Sequence, residues 1–253
     1  MFRASLKIAF FIFWALLLGL LQALVLIFHK GKWSRLIPQL FHRGICLVFG
    51  IRYTIKGTPF KGQTLYTSNH LSYLDIPLLG SILRASFLAK SDVSSWPVFG
   101  TLANLRQTVY IVRRRTAIGK AKDQISNHLD QGRSMIVFPE GTSTSGMHVK
   151  DLKSGLFSIT DGRDIVIQPV TIALKWVDGK KPATQDEFNI YAWPLEMETS
   201  LPEHLWLFAK TRGAKLVVVF HDVLRSQNFP DRKALSQACH ERISGGLKTE
   251  LLN

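Results

Sequence analysis

The sequence predicts an α/β fold with a mostly parallel central sheet flanked by helices, preceded by an N-terminal membrane-embedded helical segment. Residues 8–28 form an apolar run with Gln22 as the only strongly polar side chain. From Arg52 onward, short apolar runs alternate with longer mixed segments. Charge is the third observation. The 253 residues carry 32 Lys and Arg against 18 Asp and Glu, and the first carboxylate of the chain is Asp75. The opening third is therefore basic and apolar together, a combination suited to an anionic membrane surface. An apolar content of 46% excludes a disordered chain. Two isolated cysteines, Cys46 and Cys239, exclude a disulfide framework and a zinc ribbon.

At ~1.5 Å per residue, a helix over residues 8–28 spans the ~30 Å hydrocarbon core of a bilayer. A cleaved signal sequence has an apolar region of only about 7 to 15 residues that ends in small side chains. This run ends instead in Phe28, His29 and Lys30. Arg3 and Lys7 precede it and Lys30, Lys32, Arg35 and Arg43 follow, a bias that places the downstream domain on the cytoplasmic face. Residues 36–51 are too short to span. Gln39, His42, Arg43 and Cys46 fall there at helical spacing against Leu36, Leu40, Phe41, Leu47 and Val48. That pattern fits a helix in the membrane interface, a helix packed on the next domain, or both. The chain thus divides into membrane-anchoring helices at 1–51 and an α/β domain at 52–253.

Within the second part, strands are expected at 53–56, 64–68, 87–90, 108–112, 135–138, 166–172 and 216–220. Helices are expected at 74–83, 116–129, 153–160 and 231–251, and an exposed loop at 175–187, where Asp178-Gly179 and Lys181-Pro182 signal turns.

Two segments stand where α/β proteins bind ligands, at strand ends. The first, residues 68–75, contains Asn69, His70 and Asp75. Alone, an H-x4-D pairing more often marks a satisfied structural histidine than a reactive one, and it is the second segment that changes this weighting. The second, Phe138-Pro139-Glu140-Gly141-Thr142, presents a carboxylate and exposed backbone N–H groups in a turn. Glu140 could bind acceptor hydroxyls, fix the turn, or cap a helix. Gly141 permits close approach of backbone to substrate. Arg113, Arg114 and Arg115 end a strand with no acid until Asp123, as sites for a phosphate or the membrane surface, or as a solvated charge run.

Taken together these residues resemble the glycerolipid acyltransferase family typified by 1-acyl-sn-glycerol-3-phosphate acyltransferases. The resemblance rests on the apolar N-terminal helices, the Asn69-His70-x4-Asp75 segment, Ala89-Lys90, residues 96–100, the Tyr110 to Arg113 block, the Glu140 turn, Lys153-Ser154-Gly155 and residues 168–171. It implies His70 and Asp75 as catalytic residues, and Asn69, Arg113, Glu140, Gly141, Thr142 and Lys153 as substrate-binding residues. Two positions depart from the pattern: Ser143 stands where members commonly have Arg, and Gln107 where they commonly have Gly. Both are tied in the family to acceptor recognition.

The chemistry agrees. An alcohol is a weak nucleophile, and a base that takes its proton supplies about 10²- to 10⁴-fold. His70 suits that role, with Asp75 fixing its tautomer and the substrate's own hydroxyl as nucleophile. On one straight helix, positions five apart lie ~140° apart, so a loop-to-helix junction must bring the two together. The leading expectation is acyl transfer from acyl-CoA or acyl carrier protein to a lysophospholipid, giving phosphatidate, with no metal or other cofactor. An acyltransferase acting on another lysolipid, such as lyso-ornithine lipid, is the alternative that Ser143 motivates. A basic, membrane-anchored binding protein is the non-enzymatic alternative. Nucleic acid is not an expected partner, because the excess charge is concentrated beside lipid-facing segments.

Overall fold

The structure, a computed structural model, describes residues 1–28, 36–91, 100–101, 108–111 and 118–252. Lys30, Lys32, Arg35, Gln107, Arg113, Arg114, Arg115 and the stretch 96–99 lie outside the described residues.

Helices α1 (Phe2–Phe28) and α2 (Leu36–Phe49) open the chain. Then follow β1 (Ile51–Lys56), β2 (Leu65–Ser68), α3 (Asp75–Ile82), β3 (Ser86–Lys90), β4 (Val109–Ile111), α4 (Ile118–Asp130) and β5 (Met135–Val137). A 3-10 segment, Ser154–Thr160, leads to β6 (Val166–Val177), α5 (Gln185–Phe188), α6 (Leu201–Lys210), β7 (Ala214–Phe220), β8 (Leu224–Arg225) and α7 (Arg232–Leu252). The strands form one sheet in the order β1-β7-β6-β2-β5-β3-β4, with β8 also on β6. Every ladder is parallel except β6 with β7 and β6 with β8. The expected fold class is thereby observed.

The sheet is buried on both faces, as parallel sheets are, and its strands sort their side chains with period two. Leu65, Met135, Val137 and Ile167 join a core closed by Leu129 of α4, Phe157 of the 3-10 segment and Leu235 of α7. Their neighbours Tyr66, Ile136 and Val170 face the opposite core, shared with Phe49 of α2, Leu78 of α3 and Phe208 of α6.

The expected loop at 175–187 is shorter than its turn signals suggest. Strand β6 runs on to Val177 because its pairing with β7 continues that far, and the turn at Asp178-Gly179 follows, with φ of 48° and 82°. Helix α5 then starts at Gln185 in a capping box of Thr184 and Glu187. Helix α6 was not anticipated either, although Ser200 and Glu203 form the same device.

Helix α2 turns its polar stripe inward. Gln39, His42 and Cys46 are buried, while Leu40 and Leu47 are 48% and 83% exposed. The reason is hydrogen bonding: the Gln39 amide donates to the carbonyls of Ser81 and Ile82 at the end of α3, and Arg43 Nε donates to Ser81 O at 3.2 Å. Helix α1 follows the same rule. Gln22 is buried, and Leu6, Phe13, Leu16, Leu20 and Leu24 are exposed. Near its start, Ala4 is fully buried, and Lys7 Nζ donates to Phe49 O at 3.2 Å and Thr211 O at 3.0 Å, the C-terminal carbonyls of α2 and α6. The two helices thus expose large apolar side chains outward as well as burying others such as Ile45, Phe49 and Leu18, an arrangement that lipid stabilises and water does not.

Candidate active site

Strands β2 and β5 are parallel neighbours, so the segments that follow them leave the same edge of the sheet side by side. Asn69, the first residue beyond β2, continues the ladder with its side chain. Its amide donates to Ile172 O at 2.9 Å and accepts from Ile172 N at 2.7 Å, so both ends of a buried group are paired. The chain therefore enters the 70–74 turn from a fixed point, and Asp75 opens α3 at its far side. This is the loop-to-helix junction that the five-residue spacing requires.

Across the turn, His70 Nδ1 lies 2.9 Å from Asp75 Oδ2. The same oxygen accepts the backbone N–H of Leu71 at 2.6 Å and of Ser72 at 3.0 Å, while Oδ1 accepts the hydroxyl of Tyr191 at 3.0 Å. Asp75 is fully buried, and the His70 side chain is 19% exposed. A carboxylate only accepts, so in neutral His70 the proton sits on Nδ1 and the Nε2 lone pair is left for another partner. The imidazole is held flat against Phe138, with ring centroids 4.0 Å apart and planes 15° apart.

Glu140 reaches this turn from the β5 side. Its Oε1 accepts the backbone N–H of His70 and its Oε2 that of Lys150, each at 2.8 Å. No helix starts at Glu140, so it caps none, and each oxygen of this buried side chain accepts one backbone N–H, which ties the turn. Burial pushes its carboxyl up to about 7, against the two N–H donors that favour the charged form. Gly141 adopts φ of 74°, and the site a Cβ would occupy lies 2.7 Å from Lys153 Nζ. A side chain there would be strained by the positive φ and would push Lys153 aside. Lys153 is thus brought to the turn, its own N–H bonded to Pro139 O at 2.9 Å. Thr142 is partly exposed. Asn69, expected to bind substrate, is placed here as a buried clamp on β6. Arg113 lies outside the described residues.

Tyr191 was not singled out in the sequence. It sits 116 residues from Asp75, and nothing in its neighbours marks it. Beside it, Trp193 N donates to Leu71 O at 2.8 Å, and the Ser143 hydroxyl donates to Trp193 O.

A cavity of about 300 Å³ adjoins the imidazole. Its lining is almost wholly apolar and combines Phe11 and Leu18 of α1, Phe41 and Ile45 of α2, and Phe87 with His70, Ser143 and Trp193. A basic nitrogen thus meets a lipid-compatible space that continues to the two outward-facing apolar helices.

The chain is similar to known proteins in sequence and fold. The family described as Acyltransferase matches residues 50–173. The chain is 34% identical over 233 residues to the lyso-ornithine lipid O-acyltransferase of Brucella abortus (strain 2308), covering 88% of this chain and 86% of that one. It is 29% identical over 182 residues to the 1-acyl-sn-glycerol-3-phosphate acyltransferase of Neisseria gonorrhoeae, covering 71% and 67%. The crystal structure of the 1-acyl-sn-glycerophosphate (LPA) acyltransferase PlsC from Thermotoga maritima superposes with a TM-score of 0.69 at 19% identity, over 98% of this chain and 96% of that one. That likeness concerns the fold.

Proposed function

The chain belongs to the glycerolipid acyltransferase family, and from that premise we propose that it moves an acyl chain from acyl-CoA or acyl carrier protein to the free hydroxyl of lyso-ornithine lipid. It is an acyltransferase associated with the membrane, and the further steps follow from its own side chains.

The observation that carries the chemistry is the 2.9 Å contact of His70 Nδ1 with Asp75. With that nitrogen committed, Nε2 takes the proton of the acceptor hydroxyl as its oxygen attacks the thioester carbonyl. Asp75 stabilises the imidazolium that forms. Collapse of the tetrahedral intermediate expels the thiolate, which receives the proton from Nε2, so the enzyme returns to its starting state. The substrate supplies the nucleophile, and the chemistry asks for no metal or prosthetic group. The apolar cavity beside His70 holds an aliphatic chain next to the reacting atoms. Residues 1–51 serve as the membrane-docking part and 52–253 as the transferase domain, on the cytoplasmic face, where acyl-CoA and acyl carrier protein are found.

For the acceptor, Ser143 favours the ornithine headgroup. It lines the cavity beside His70 with a neutral hydroxyl already bonded to Trp193 O, where a phosphomonoester, with nearly two negative charges, calls for a cation. The relative that matches 88% of the chain acts on that acceptor by name. Lysophosphatidate is the second reading, favoured by Lys153 at the Gly141 turn. Purified protein given labelled acyl-CoA and a panel of lysolipids tests the choice. Lyso-ornithine lipid is expected to exceed lysophosphatidate in kcat/KM by about tenfold or more, equivalent to ~1.4 kcal/mol. The reverse preference overturns the acceptor while leaving the acyl-transfer chemistry in place.

A further inference from the structure

We infer that Tyr191 is a positioning residue of the reaction, acting on His70 through the far oxygen of Asp75; the inference rests on the reading of His70 and Asp75 as base and partner. The Asp75 carboxylate is fully buried, and its two oxygens are held differently. Oδ2 receives the imidazole and the N–H groups of Leu71 and Ser72, all from its own turn, whereas Oδ1 receives the Tyr191 hydroxyl from a distant part of the chain. The local contacts alone leave the carboxylate free to pivot about Oδ2. The bond at Oδ1 removes that freedom and fixes the plane in which the imidazole must lie.

Tyr191 is built for this. It is fully buried, with its ring edge-on to Phe208 at 5.8 Å and 80°. Its neighbours are tied in turn. His204 Nε2 meets the carbonyls of Asn189 and Ala192 at 2.9 and 3.1 Å, and its Nδ1 accepts the hydroxyl of Tyr73, inside the 70–75 turn, at 2.9 Å. The 189–193 segment thus grips the turn directly at two points, Tyr191 on Asp75 and Trp193 on Leu71, and His204 of α6, bonded to the same segment, adds a third on Tyr73. Burial raises the pKa of the Tyr191 hydroxyl well above the ordinary tyrosine value, so it keeps its proton and stays a donor throughout the working pH range.

The test is a double-mutant cycle on the full chain in vesicles of fixed composition, with an acyl-CoA and whichever lysolipid the wild type prefers. Tyr191→Phe keeps the ring and removes the donor. It is expected to lower kcat on the order of 10- to 100-fold, with KM for both substrates within about twofold, as for loss of a hydrogen bond to a charged group. In an Asp75→Asn background the same change is expected to cost less than about twofold, because the charge it serves is gone. Loss of packing alone would lower both backgrounds equally, and that result, or a Tyr191→Phe kcat within twofold of wild type, overturns the inference. Should Tyr191→Phe unfold, the double variant Tyr191→Phe/Asp75→Asn decides. Recovery of a cooperative melt supports the inference and failure to recover overturns it. His70→Ala run in parallel separates the two failures. If it retains turnover, the underlying base assignment is wrong; if it is inactive and Tyr191→Phe is not, only the role of Tyr191 is.

Discussion

Glu140 holds the backbone of His70 rather than its ring: Oε1 accepts the His70 N–H at 2.8 Å while Oε2 accepts that of Lys150 at the same distance. One buried carboxylate therefore joins the turn after β2 to the loop after β5. That cross-tie costs charge burial, which appears as a carboxyl raised to about 7. A raised acid binds its proton more readily folded than unfolded. Its contribution to stability is fully present below the ordinary value of 4.5 and is lost as pH rises through about 7, by roughly 3 kcal/mol in all. Glu140→Gln removes the titration and, because an amide NH₂ cannot accept, one of the two bonds. Melting temperatures of wild type and variant should be compared from pH 5 to 8. The variant is expected to gain on wild type as pH rises towards about 7 and to hold that gain above it, with turnover down about tenfold. A constant difference would show that Glu140 does not carry the proton.

Replacing His70 by Ala is expected to lower turnover by about 10²- to 10⁴-fold with the melt and membrane binding unchanged. Asp75→Asn should lose much of the same activity, since the buried amide no longer selects the Nδ1–H tautomer. Turnover in single-cycle assays measures both. A folded His70→Ala protein with near wild-type turnover would refute the mechanism.

Ser143→Arg places a cation beside His70 where the hydroxyl now bonds Trp193 O. It should raise kcat/KM for lysophosphatidate and lower it for lyso-ornithine lipid, moving their ratio about tenfold or more through one charge-assisted contact. An unmoved ratio would exclude this position from headgroup recognition.

Leu40 and Leu47 face away from the protein on α2. Changing both to Glu is expected to leave thermal unfolding in detergent within about 1 kcal/mol of wild type, as at exposed positions. It should weaken sedimentation with vesicles. Wild type should stay with membranes through a high-salt wash, because salt screens charge and not the apolar surface of α1. A melt lowered as by a core substitution would mean these leucines face inward.

Much of this was legible in the sequence, and the limits are instructive. The strands at β2, β5 and β7 announce themselves as short apolar runs between turns, and the five-residue spacing of His70 and Asp75 already demanded the junction that opens α3. Periodicity also found α2, but it cannot say which stripe faces the protein. That depends on whether water or lipid surrounds the helix and on the carbonyls of Ser81 and Ile82, which no local pattern reveals. The role of Asn69 was hidden for a similar reason, because its partner Ile172 lies 103 residues away. Tyr191 carries no signal at all. Helix α6 differs: its capping box at Ser200 and Glu203 was there to be read.

The twofold grip of Lys7 limits how the enzyme can be engineered. By closing the C-terminal carbonyls of α2 and α6 at once, this ammonium ion satisfies groups at two helix ends, where a cation is favoured. Ala4 beside it is sealed in the core. A water-soluble version made by cutting away α1 would therefore strip two other helices of a cap and open the interior, trading one insoluble surface for another. Solubility is better sought by keeping the helix and recolouring its most exposed leucines, Leu16 and Leu20, with polar side chains, since these lie mostly outside the packed interior.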